Sequence, residues 1–434
     1  MPPVFPTPSR RRASVLAAVA MSSFATALAP GSAYAVDPPE WPQAGDVVIE
    51  EFRFHGPNGR HDEYIELYNK STRTIELDPG DDQAEPQTYL QFWTGSTYRS
   101  IALAGTLAPA EHLLISNVGG SPSCSSTLAG AYSLNAYSCG DQQYNGKPVA
   151  SAPSVNRDVP SDGSVNLYFW DGTYTDANND GIADADEANT RTIDQVGFAS
   201  VGADFFETTP LTPIGDQAGN QYAWVRKFSR GEPVDTNNNA NDFVHVGGAG
   251  DTWSGSGVKQ ILGAPGPQAC DDEARQRPVG VNVTLFDPTK SSGASPNWVY
   301  TPENNAATPE IGTGLMRRVL TNTSGASIDF LRLRMAALST KNSSHYTGAS
   351  FADMRLFTST GSGIAQPTTL EDPPAQPLGG GLNSSATVPV GAGLANGASV
   401  AAELRFKVYS SGGFLVGLHP ETLFLDPDGF GVNC

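Results

Sequence analysis

The sequence predicts an all-β protein made of two β-sandwich domains. Three observations carry that reading. Glycine and proline are abundant, at 46 and 33 of 434 residues, while methionine is scarce at 5, a balance that suits short strands joined by many turns. Outside the N-terminus no run of a dozen residues keeps a helical period, whereas several short segments alternate apolar and polar residues, as half-buried strands require. The length exceeds one small sandwich and allows two domains, each with its own core.

The most informative stretch is 62–69, Asp-Glu-Tyr-Ile-Glu-Leu-Tyr-Asn. Ile65 and Leu67 share one face of the predicted strand, and Tyr64, Glu66 and Tyr68 share the other. Asn69-Lys70-Ser71 supplies turn chemistry, and Arg73 to Leu77 resumes the alternation with Ile75 and Leu77. The pair therefore reads as a hairpin. Upstream, Val47-Val48-Ile49-Glu50-Glu51-Phe52 reads as a third strand.

The first 35 residues read as an export signal: Arg10-Arg11-Arg12, an apolar run from Ala13 to about Ala29, and Ala33-Tyr34-Ala35 as the cleavage site before Val36. Ser9-Arg10-Arg11 only faintly follows a twin-arginine pattern, so general secretion is favoured. Removing this segment takes the formal charge from −19 to −22. Such a surface repels a phosphate backbone and makes nucleic acid an unlikely partner. No later segment has the roughly 20 apolar residues of a membrane span. The expected location is secreted, extracellular or periplasmic.

Residues 36–44 are a Pro-rich lead-in. From 45 to 265 the chain resembles the lamin tail domain of secreted bacterial proteins, an immunoglobulin-like β-sandwich. The motifs are the three segments above, then Gly105-Thr106-Leu107-Ala108-Pro109-Ala110-Glu111-His112-Leu113-Leu114-Ile115, in which Ala110 stands where the family usually has glycine. Ser164 to Phe169 and Thr192 to Phe198 match a hairpin whose Asp precedes the last strand. Trp224-Val225-Arg226-Lys227 and Asp235 to Phe243 match the closing segment. Insertions fall at 119–160 and 172–190. The resemblance implies an accessory or adhesion module.

After the Pro/Gly-rich segment 263–267, residues 271–434 read as a second, immunoglobulin-like sandwich. Val281 to Leu285, Leu331 to Met335 and Leu404 to Val408 alternate as strands with one solvated side. Gly412-Gly413 reads as the turn of a hairpin into Phe414 to Leu418.

The sharpest chemical constellation is 176–187. Asp176, Asn178, Asp180, Asp184 and Glu187 place oxygen ligands at loop positions 1, 3, 5, 9 and 12, the Ile182 carbonyl supplies another, and Gly181 allows the turn. It resembles thrombospondin type 3 and EF-hand loops, so Ca²⁺ is the expected cofactor, against the alternative of a solvated acidic hairpin tip. The looser cluster Glu76, Asp78, Asp81, Asp82 and Glu85 has no such register. Four cysteines in an exported chain imply two disulfides, in any of three pairings. Cys124 with Cys139 and Cys270 with Cys434 is favoured.

Catalytic motifs are lacking. The histidines at 55, 61, 112, 245, 345 and 419 show no metalloprotease spacing, and no nucleophile elbow or phosphate loop occurs. His61-Asp62-Glu63 reads as the polar start of a strand rather than an acid/base group. Paired glycosidase carboxylates need only proximity in space and leave no trace in sequence. Tyr89, Phe92, Trp93 and Tyr98, with Tyr168, Phe169 and Trp170, suit carbohydrate or peptide binding where exposed, and read first as core residues. The expectation is an exported, non-enzymatic binding, adhesion or envelope-structural protein whose extracellular ligand is a polysaccharide or a protein. The alternative is a secreted hydrolase, active on carbohydrate or nucleic acid, with its site in the C-terminal region.

Overall fold

Two consecutive glutamates break the alternation of the Val47–Arg53 strand, and that break organises the first half of the molecule. Val47, Ile49 and Phe52 enter the core. The register against Tyr64–Asn69 passes from Ile49 opposite Leu67 to Glu51 opposite Glu66, so Glu50 is the extra residue of a β-bulge. Glu50 and Glu51 therefore both leave the core face.

A computed structural model of the protein describes residues 40–56, 63–78, 86–93, 98–116, 142–143, 159, 161–171, 190–202, 205–215, 221–229, 232–250, 257–266, 276–278, 281–284, 298–303, 308–340, 351–357, 367–368 and 378–423. They are nearly all β. The first half packs a seven-stranded sheet on a four-stranded one. The larger sheet runs Ile261–Leu262, Phe243–Gly247, Tyr222–Arg226, Val47–Arg53, Tyr64–Asn69, His112–Ser116, Gln142–Gln143. The smaller runs Thr190–Gly197, Ser164–Trp170, Gln87–Trp93, Tyr98–Ala102. Ile49, Phe52, Ile65, Leu67 and Ile115 of the first meet Leu90, Phe92, Val165, Leu167 and Val196 of the second. Each such side chain contributes about 1.5–3 kcal/mol on burial. The expected inward pair Ile65 and Leu67 is thus in the core.

The second half repeats the two-layer plan. One sheet runs Gln276–Pro278, Val416–Leu423, Arg332–Leu338, Ser385–Thr387, Pro367–Thr368; the other runs Val281–Thr284, Gly312–Asn322, Ser399–Ser410, Asp353–Leu356, with Trp298–Pro302 also on Gly312–Asn322. Leu333, Met335 and Leu338 pack against Met316, Leu320, Leu404 and Phe406. Among the described residues no helix is long and apolar enough to cross a membrane. A single helical turn, Asn239–Asp242, lies in the closing segment, and the Asn238 side chain accepts from Asn241 N as its N-cap.

Of the three expected hairpins, Ser164–Trp170 and Thr190–Gly197 do pair, and the other two are instead crossings between sheets. Tyr64–Asn69 pairs with Val47–Arg53 and His112–Ser116, while Ile75–Asp78 pairs with Gly105–Leu107. Likewise Ser399–Ser410 and Val416–Leu423 lie in different sheets. Turn residues bend the chain, but they do not decide whether the following strand returns beside its predecessor or arches over the core.

One of these corners is built twice. Asn69 is fully buried, and its Nδ2 donates to Arg73 O at 2.8 Å and Leu107 O at 2.7 Å while its Oδ1 accepts from Ser71 N at 2.9 Å. Asn322, also fully buried, donates to Ala326 O at 2.7 Å and Leu394 O at 2.6 Å and accepts from Ser324 N at 2.9 Å. The facing turns agree as well: Ala110 N donates to Asn69 O, and Gly397 N to Asn322 O. Tyr68 pairs with His112 as Thr321 pairs with Ser399, and Val47 opposes Asn69 as Val281 opposes Asn322. The two halves share a strand-and-corner framework.

The alternating strand Arg332–Leu338 was expected to have a solvated side. That side is buried: Arg332 and Arg334 are 2% and 3% exposed, because they face the first half. Tyr64, Glu66 and Tyr68, all buried on the outer face of the seven-stranded sheet, face the second half in turn. Asn383 Nδ2 and Gly266 N donate to Glu51 at 2.9 Å each, and the Tyr64 hydroxyl also donates to it. Arg334 donates to Asn383 Oδ1 at 2.6 Å, to Gly266 O at 3.0 Å and to Glu421 Oε1 at 2.5 Å. Arg332 Nε donates to Glu421 Oε2 at 3.1 Å. Leu382 joins the apolar part of the contact with Val225, Val246 and Ile261. Residues 263–266 of the Pro/Gly segment between the halves are buried, with Ala264 N donating to Leu382 O at 3.2 Å. The described residues fall within one compact unit.

Candidate functional site

The four-stranded sheet keeps an outer face with aromatic side chains. Along Gln87–Trp93 burial alternates: Thr88, Leu90 and Phe92 point inward, and Tyr89, Gln91 and Trp93 are half-buried on the other side. The antiparallel register sets Trp93 opposite Tyr98, Gln91 opposite Ser100, and Tyr89 opposite Tyr168. Ring contacts follow. Trp93 and Tyr98 lie 4.7 Å apart, and Tyr98 and Phe205 4.6 Å, at one end. At the other end Tyr89 stacks on Tyr168 at 5.3 Å with 13° between planes, and Trp170 lies edge-on at 6.4 Å. Between them stand Gln91, Asn166 and Ser100, and the Tyr168 hydroxyl donates to Ser100 Oγ at 3.3 Å. From Tyr89 to Trp93 the strand advances about 13 Å. A row of rings interrupted by amide and hydroxyl groups can pack on the apolar faces of sugars and hydrogen-bond their hydroxyls.

The aromatic residues singled out in the sequence thus divide. Phe92, Tyr168, Phe169 and Trp170 are buried, as the core reading expects, and Tyr89, Trp93 and Tyr98 are half-buried. Phe205 was not foreseen, because it joins the row from a loop distant in sequence.

The calcium ligands Asp176, Asn178, Asp180, Ile182, Asp184 and Glu187, and the four cysteines 124, 139, 270 and 434, lie outside the described residues, as do the export signal, His61, Asp62, Asp81, Asp82 and Glu85. Glu63 is buried 3.6 Å from His55 Nε2. Glu76 sits half-buried in a strand, where burial raises its carboxyl above the usual range.

Sequence reasoning missed the buried charges. Arg226 is fully buried beneath the first sandwich, donating to Asp194 Oδ2 at 2.6 Å, to Ile49 O at 2.8 Å and to Val234 O at 3.1 Å, with Asp235 and Asp242 each 3.6 Å away. Asn239 joins Glu207 to the sheet: its Nδ2 donates to Glu207 Oε2 and Gln195 O at 2.9 Å each. Burial, then the charge of Asp194, pushes Glu207 up to about 9, so Glu207 holds a proton beside Asp194. Asp194, Glu207 and Asp235 converge as metal ligands do, but Arg226 already supplies their cation. This is a structural lock for the closing segment 232–243. Its one legible trace was Asp194 and Arg226 within the quoted motifs.

Across the contact between halves, burial opposes the charge of Glu421, yet Arg334 and Arg332 outweigh it and hold the carboxyl down at about 2. Burial alone drives His245 to about 3, and its ring packs on Tyr222 and Trp224. It is a neutral core imidazole.

Compared with known proteins, the sequence matches no family model, and no curated protein matches it.

Proposed function

We propose that this is an exported, non-enzymatic binding protein whose aromatic face on the four-stranded sheet holds an extracellular polysaccharide. The Trp93, Tyr98 and Tyr89 row carries this reading, because half-buried rings beside amide and hydroxyl groups match the alternating apolar and polar surface of a sugar chain. The ionic groups support it from the other side: Glu51, Arg334, Glu421, Asp194 and Arg226 are spent on holding the molecule together, behind the face rather than on it. In this reading the first half is a lamin-tail-like module, and Ca²⁺ at 176–187 orders a loop that joins two strands of the binding sheet. A rigid pair of sandwiches suits adhesion or envelope attachment, where the ligand face has to stay fixed against load.

The test is a screen of the purified protein against soluble and insoluble polysaccharides, cell-wall fragments and DNA, with and without calcium, with product analysis for cleavage. Retention on a polysaccharide without shortened products is expected. Turnover of any polymer would favour the secreted-hydrolase alternative, and retention on DNA alone would contradict the reading.

A further inference from the structure

Glu50, Glu66 and His112 come from three adjacent strands of the seven-stranded sheet and meet on its outer face. The β-bulge is what aims Glu50 there. His112 Nδ1 lies 2.6 Å from Glu66 Oε1 and 3.1 Å from Glu50 Oε2, and the three side chains are at most 5% exposed. Although close, Nδ1 and both oxygens lack the alignment of a hydrogen bond, so all three atoms are buried without a directed partner. One imidazole N–H has a single direction and serves one acceptor, whereas a cation placed among the three takes all of them.

Charge leads to the same conclusion. Of the ionised groups in this contact, Glu421 is matched by Arg332 and Arg334. Glu51 is satisfied by Tyr64, Gly266 and Asn383 and lies in the field of Arg334. Glu50 and Glu66 have His112 as their close partner, while Arg332 and Arg334 act on Glu66 only at longer range. Burial lowers His112, but the two carboxylates outweigh it and push it up to about 10, while burial raises Glu66 to about 8.

We propose that Glu50 Oε2, Glu66 Oε1 and His112 Nδ1 form a site for one divalent transition-metal ion of the zinc class. One nitrogen and two carboxylate oxygens suit such an ion better than Ca²⁺, which prefers six or more oxygens. Tetrahedral ligation at about 2.0–2.1 Å sets donor atoms roughly 3.3 Å apart, so loading opens the 2.6 Å approach of His112 to Glu66 by about 0.7 Å. The ion would clamp Val47–Arg53, Tyr64–Asn69 and His112–Ser116 together beneath the second half. It shares no residue with the calcium loop or with the aromatic face.

The experiment uses the full-length protein stripped with chelator, then titrated with Co²⁺ and Zn²⁺ in excess Ca²⁺ so that all-oxygen sites are filled. The expected result is one equivalent of Co²⁺ with a ligand-field spectrum, displaced by Zn²⁺, and roughly a hundredfold weaker binding in Glu50→Gln and His112→Gln. Asp180→Ala should bind as the wild type does. X-ray absorption of the Zn²⁺-loaded wild type should show one imidazole among oxygen ligands, a readout that needs no variant to fold. Absence of Co²⁺ uptake by the stripped wild type, a zinc shell without imidazole, or equal affinity in folded Glu50→Gln would each overturn the site.

Discussion

Asn383 donates its Nδ2 to Glu51 Oε2 at 2.9 Å, although 332 residues of chain separate them. Through its Oδ1, Asn383 also accepts from Arg334, whose other nitrogens reach Gly266 and Glu421. A buried carboxylate of the first half is thus tied to a buried guanidinium of the second through one amide, and each is held by further hydrogen bonds. Buried ionic groups survive only in such company.

Removing Arg334 should be costly. Arg334→Ala leaves Glu421 and the Asn383 carbonyl short of a donor and is expected to lower stability by about 3–5 kcal/mol. Urea unfolding of both proteins checks this, and a midpoint close to that of wild type would mean that the halves do not depend on the contact.

Both faces of the strand that reads most clearly in the sequence are sealed. Ile65→Asp and Leu67→Asp place a carboxylate in the core. Tyr64→Asp, on the opposite face, places one beside Glu51 and deletes the hydroxyl that donates to it. All three should lose several kcal/mol. Thermal melts decide, and a wild-type melt for Tyr64→Asp would open the outer face to solvent.

Ala110 and Gly397 occupy equivalent turns with φ of 60° and 81°. This left-handed conformation costs a side-chain-bearing residue about 1–2 kcal/mol, partly offset by the greater freedom of glycine when unfolded. Ala110→Gly should therefore stabilise by about 0.5–1 kcal/mol, and Gly397→Ala should destabilise by a similar amount. A new Cβ at Gly397 meets nothing within 4 Å, so only backbone strain is read there. Paired denaturation curves with shifts of the same sign would contradict the shared corner.

Glu207 makes stability depend on pH. Its folded value of about 9 lies above the ordinary 4.5, so its stabilisation is complete below about pH 4.5 and is lost as pH rises through 9. Glu207→Gln keeps a donor toward Asp194 and an acceptor for Asn239 without titrating. Between about pH 6.5 and 9 the wild type should lose on the order of 1–3 kcal/mol more than this variant. Glu66 and His112, also raised, affect both proteins alike, so the difference between them is the readout. Parallel pH profiles would remove the shared proton at Asp194.

The strands and their inward residues were legible because a period of two survives wherever one face meets a core. The alternation of Leu331 to Met335 was equally clear, but Arg332 and Arg334 on its polar side face Glu421 rather than water. Alternation separates apolar from polar neighbours and says nothing of whether the polar neighbour is solvent. The two arching turns were misread for a related reason: local turn chemistry does not encode which strand comes next to which. Two signals were present in the chain. Glu50-Glu51 interrupts the pattern where the bulge lies, and Asn-Lys-Ser-Thr-Arg-Thr-Ile-Glu at 69–76 returns as Asn-Thr-Ser-Gly-Ala-Ser-Ile-Asp at 322–329, marking the duplicated corner. The aromatic row was half legible. Tyr89, Trp93 and Tyr98 stood out by composition, whereas Phe205 joins them only in space.

The most direct measurement is calorimetric titration of wild type and of the Trp93→Ala and Tyr98→Ala variants with the polysaccharide that the screen retains most strongly. Each ring contributes on the order of 1–2 kcal/mol where it stacks on a ligand, so each variant should bind roughly five- to thirtyfold more weakly with little change in melting temperature. Equal affinity in all three proteins would contradict the aromatic face as the binding site.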